Sequence, residues 1–89
     1  MVTKYLIEFL ATLFFVYVFL ATGNGLAIGA TLALVVILCK NMAAGFVNPA
    51  VVIVMSSAGQ LPVNEIIPYC VAEIFGGLVA LEIYKRYRL

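Results

Sequence analysis

The chain has 89 residues, 66% of them hydrophobic and 10% charged, with a formal net charge of +1. A soluble domain of this length leaves too much area exposed to hide so many apolar side chains, so the composition points to a multi-pass integral membrane protein. The near-neutral balance offers nucleic acid no basic field. The sequence has no His and no Asp, four scattered glutamates, and two cysteines outside any CxxC pair. It therefore supplies no metal site, no cofactor motif and no catalytic constellation, and no enzyme is expected.

In chain order, the first element is an apolar span over about 4–22. Lys4, an apolar stretch and small residues near Ala21 imitate a secretory signal, but Glu8 interrupts it and further spans follow, which favours a retained helix. Gly23-Asn24-Gly25 is a tight polar connector. A second span covers about 26–39 and ends at Lys40-Asn41, with Gly25, Gly29 and Ala33 forming a stripe of small residues that admits a neighbouring helix. Residues 42–47 read as an extended feed into Asn48-Pro49-Ala50. There Asn is a preferred N-cap, and Pro fits the first helical position. The helix it starts, about 49–56, is too short to cross a bilayer, which needs about 20 residues. Such a segment is tolerated at membrane depth only where protein or a water-filled cavity surrounds it. A loop over Ser56–Asn64 leads to a third span over about 63–84, with Pro68 early and Ala72, Gly76 and Ala80 at small-residue spacing. Tyr84, Lys85, Arg86, Tyr87 and Arg88 read as an interfacial anchor, and Cys39 and Cys70 as small hydrophobes. The expected fold is an all-α membrane protein: one module over 1–89, with three transmembrane helices and one re-entrant half-helix.

The chain resembles one repeat of the aquaporin (major intrinsic protein) family. The resemblance is carried by Glu8-Phe9-Leu10-Ala11-Thr12, by Asn48-Pro49-Ala50-Val51, and by Leu61-Pro62 leading to Pro68-Tyr69-Cys70-Val71-Ala72-Glu73 and Gly76-Gly77. It covers nearly the whole chain. In that family two repeats, inverted in the membrane, form one pore, and their short helices meet end to end at the midplane. The resemblance implies half of an aquaporin-like inverted-repeat fold, completed by a second copy in the opposite orientation. Charge favours that pairing. With three spans, Lys4 and Lys40 lie on one side, and Lys85, Arg86 and Arg88 on the other. That is two positives, or three with a free amino terminus, against three. The positive-inside rule then has almost nothing to act on, and the expectation is insertion in both orientations.

The resemblance also assigns roles. Asn48 caps the half-helix and points its amide at solute in the pore, while Pro49 and Ala50 start and pack that helix. Carbonyls of Ala44, Gly45 and Phe46 line the path as acceptors. Glu8 accepts hydrogen bonds from the re-entrant loop and braces it, a role preferred here to proton carriage. The filter falls on Ile28, Val36, Gly45 and Val51. Val51 replaces the arginine that follows one Asn-Pro-Ala in water-selective members, so a wider, greasier constriction is expected. Lys40, Asn41 and Phe46 also depart from the family's usual Gly, His and His, and Glu73 stands where the family usually has Gln. Glu82 reads as a solvated end residue. The implied activity is passive passage of water or small neutral solutes such as glycerol. The implied partners are membrane lipid, an inverted second copy and, by resemblance, a tetramer of such dimers. One rival is a dual-topology proton-coupled exporter built on Glu8, which leaves Asn48-Pro49-Ala50 unexplained. Another is a non-conducting membrane module; against it, the chain ends after one full repeat with a basic anchor.

Overall fold

The computed structural model describes residues 2–40, 42 and 45–87. Asn41, Ala44 and Arg88, which carry expectations above, lie outside the described residues. Among the described residues there are four α-helices and one short 3-10 helix: α1 Val2–Thr22, α2 Gly25–Cys39, α3 Pro49–Ser57, a 3-10 turn at Val63–Glu65, and α4 Ile66–Arg86. No strand occurs among the described residues. At 1.5 Å per residue, α1 and α4 are each about 31 Å long, close to the ~30 Å hydrocarbon core of a bilayer. Both are long and apolar enough to cross one. α2, at 15 residues, is apolar but shorter.

Local chemistry sets the breaks. α1 stops at Gly23, whose φ of 56° is left-handed and whose N–H donates to Phe19 O at 3.0 Å. Asn24 then caps α2, its Oδ1 accepting from Ala27 N at 3.0 Å. α3 ends at Ala58, and the N–H groups of Ala58, Gly59 and Gln60 donate back to carbonyls of its last turns. The third apolar segment begins with a turn of 3-10 helix. Glu65, at the N-cap of α4, makes no side-chain capping bond. Its carboxylate instead pairs with Lys4 and accepts from the Tyr5 hydroxyl at 3.2 Å.

Those two bonds also fix direction. Tyr5 packs edge-on against Tyr69 at the N-terminal ends of α1 and α4, and Tyr17 against Tyr84 towards their C-terminal ends. The two long helices therefore run parallel, and α2 must bring the chain back between them. α2 lies on α1, and α3 on α4. The α4 face turned inward is Tyr69, Glu73, Gly76 and Ala80. Gly76 is needed there, since a Cβ would come within 2.5 Å of Phe9 O and 3.2 Å of Thr12 Cβ. Away from this seam, large apolar side chains on α1, α2 and α4 point outward, among them Leu10, Phe19, Ile37, Ile67 and Phe75.

Candidate functional site

The loop before α3 is built around one carboxylate. Glu8 on α1 is 0% exposed. Its Oε2 accepts from Gly45 N at 2.5 Å and Phe46 N at 3.1 Å, and its Oε1 from Val47 N at 3.1 Å. Three consecutive amides can face one acceptor because the backbone alternates: Gly45 has φ 70° and Val47 φ 47°. Left-handed backbone suits Gly45, which also packs closely enough that a Cβ would meet Val36 Cα at 3.2 Å. For a β-branched residue it is an outlier costing about 1–2 kcal/mol. Hydrogen bonds to a charged acceptor contribute about 1.5–3 kcal/mol each, so Glu8 offsets that strain. Val47 is also buried with Ala11, Val35 and Cys39 where α1, α2 and the loop converge.

Asn48 follows immediately. Its Oδ1 accepts from Ala50 N at 2.8 Å, Pro49 takes the first helical position, and Val52 N closes the first turn onto Asn48 O at 3.2 Å. With Oδ1 committed as the cap, the Nδ2 hydrogens remain as donors on an exposed side chain. The N-terminal end of α3, with its partial positive charge, is presented at the same point.

Asn48 and Pro49 open onto a groove of about 390 Å³ between the C-terminal halves of α1 and α4. Its apolar walls include Val16, Leu20, Ile74 and Leu78, and Thr12 and Glu73 also line it. None of these side chains was assigned to a site from sequence. Their i, i+4 spacing (Thr12-Val16-Leu20, Ile74-Leu78) continues past Glu8 and Glu73 on the same helices, and that was the available signal.

The filter positions are distributed. Val36 adjoins Gly45, and Val51 is partly exposed on the first turn of α3. Ile28 lies two turns from Val36 along α2, about 12 Å away, so one chain does not gather all four. Phe46 packs edge-on against Tyr69 at 5.4 Å, and Lys4 sits over the Tyr5 and Tyr69 rings at 5.3 and 5.9 Å. Glu82 pairs with Lys85 at 3.5 Å in the open.

Comparison with known proteins finds partial matches to aquaporins. The chain is 36% identical over 61 residues to aquaporin Z of Brucella melitensis, an alignment covering 68% of this chain and 27% of that protein. It is 37% identical over 65 residues to aquaporin-8 of Notomys alexis and 35% to aquaporin-8 of Mus musculus, in each case over 73% of this chain and 23% of the relative. The chain spans about a quarter of the length of these curated relatives. No protein-family model matches it, and no solved structure gives a significant match. Two helices fit to cross a bilayer, together with this homology, make the chain an integral membrane protein.

Proposed function

We propose that this chain, 36–37% identical to aquaporins over 61–65 residues, is an aquaporin-like half-repeat that forms a passive channel for water and small neutral solutes such as glycerol from two copies in opposite orientation. In this reading α1, α2 and α4 cross the membrane, and α3 enters half-way and turns back. The observation that carries the proposal is the braced loop leading into a capped half-helix whose N-terminus faces an open groove. The groove continues beyond the end of α3, with α1 and α4 as its walls. A second half-helix about 14 Å long, arriving head-on from an inverted copy, would occupy that space. Asn48 of both chains then stands at the midplane, donating to one solute oxygen, with two helix N-termini converging on it. A water held by its oxygen has no lone pair free for a further donor, and the field opposes cations.

Each constriction draws Val36, Gly45 and Val51 from one chain and Ile28 from the other, which suits the two-turn separation along α2. It is apolar and carries no guanidinium, and so favours neutral solutes wider than water. Carbonyls of Gly45 and Phe46 line the path. Two-way insertion draws support from the position of the basic residues. Lys4 lies at the N-terminal end of the α1–α4 pair, and Lys85 and Arg86 at the other. Dimers of this kind would gather further as the family's pores do, four to an assembly. The exporter reading loses its main support, because Glu8 is fully buried and engaged by three amides, which leaves no open face for a substrate.

Stopped-flow light scattering on proteoliposomes tests the proposal with wild type and Asn48→Leu under water and glycerol gradients. The expected result is fast swelling in the wild type and lipid-like permeability in the variant. Equal, lipid-like rates in both would remove the self-sufficient channel.

A further inference from the structure

The channel as described makes no use of Glu73, the residue whose chemistry the fold leaves unfinished. It is 2% exposed, and neither carboxyl oxygen has a hydrogen-bond donor among the described residues. Thr12, facing it on α1, is 3% exposed with Oγ1 also unpartnered. The close approach at Gly76, one turn further along α4, keeps Glu73 inside the seam. Tyr69 meets Tyr5 one turn before it and Gly76 meets Phe9 and Thr12 one turn after, so Glu73 and the fully buried Glu8 share the same level of the seam. Two carboxylates offer each other only acceptors. Glu8 has already given lone pairs to three amides. Lys4, one turn before Glu8, is taken by Glu65. Among the described residues, Cys39 of α2 and Tyr69 of α4 are buried and Cys70 half-buried, none of them a cation, and α3 has no titratable side chain. Adjacent like charges in a low-dielectric interior do not both persist, and a shared proton is the smallest group that resolves the contact.

We propose that Glu73 is a positioning residue that holds one proton against Glu8, donating it as O–H···O and so locking the carboxylate that braces the 45–47 loop. Loss of that proton to water leaves two facing carboxylates. No heavy-atom bond changes and no electron moves, but Glu8 is pushed off the loop amides. The brace, and with it the path beside Asn48, becomes proton-dependent. The amide of a glutamine would give Glu8 the same donor with no proton to lose.

Infrared spectroscopy of the lipid-reconstituted protein reads the proton independently of conduction. A carboxylic-acid carbonyl band at neutral pH, shifted in D2O, is expected in the wild type and in Glu82→Gln, and its loss in Glu73→Gln. Absence of the band from the wild type, or its survival in Glu73→Gln, overturns the proposal. Hydrogen exchange of the 45–47 amides checks the coupling: protection is expected to be lost in Glu73→Leu and restored in Glu73→Gln, and unchanged protection in Glu73→Leu would refute it. The third arm rests on the channel reading. Wild-type flux falls on alkalinisation while that of Glu73→Gln stays flat, and parallel profiles count against the proposal. If neither protein conducts, the channel reading fails and the infrared and exchange results still decide the proton.

Discussion

Gly76 and Gly29 occupy comparable small-residue stripes on two apolar helices and meet opposite surroundings. At Gly76 an added Cβ would lie 2.5 Å from Phe9 O, whereas at Gly29, as at Gly25, nothing comes within 4 Å. The α1–α4 seam is thus a finished interior, with Tyr69, Glu73 and Ala80 buried along it. Along the outer stripe of α2, among the described residues, nothing comes close to Gly25 or Gly29. The difference teaches that a stripe of small residues on an apolar helix need not mark a contact within the chain; in the proposed arrangement the outer stripe is free to meet another chain.

The comparison breaks most readily at Glu8. Replacing it by Leu leaves three loop amides without an acceptor, at about 1–3 kcal/mol each. The expected outcome is a large drop in the melting temperature of the detergent-solubilised protein together with loss of flux; an unchanged melt would mean that the seam stands without its brace. Next is Gly76→Leu, which forces backbone from backbone and is expected to cost about 1–3 kcal/mol in denaturant titrations. The smallest effect on the single chain belongs to Gly29→Leu, within about 0.5 kcal/mol, because its site is open. That variant should instead weaken association, seen as loss of crosslinked higher species. A clear fall in single-chain stability with association intact would reverse the contrast between the two glycines.

Much of this architecture was legible in the residues themselves. Asn48 announced a helix start through cap chemistry, Gly23-Asn24-Gly25 and the 56–64 loop announced breaks, and Glu8 stood out as a charge in an apolar segment. What the sequence withheld was rotation. A helix apolar all round carries no stripe to say which face turns inward. On α4 the spacing favoured Ala72, Gly76 and Ala80, while the face that packs is Tyr69, Glu73, Gly76 and Ala80. The burial of Glu73 in the seam and the groove below Asn48 both follow from that rotation, so neither was visible beforehand. Val47 was hidden for another reason: a β-branched residue has no left-handed preference, and its φ of 47° exists only because a distant carboxylate gathers the neighbouring amides.

The length of α2 reaches beyond the protein. Its 15 residues give about 22 Å, some 8 Å short of a ~30 Å hydrocarbon core. In the proposed arrangement every dimer holds two such helices in opposite sense, so both leaflets are drawn inward around them. Hydrophobic mismatch costs a fraction of a kcal/mol per Å, and the strain is borne by the surrounding lipid as local thinning. Short-tailed bilayers should therefore favour the assembled form and thick, sterol-rich ones oppose it, which makes acyl-chain length a physical determinant of where this chain resides.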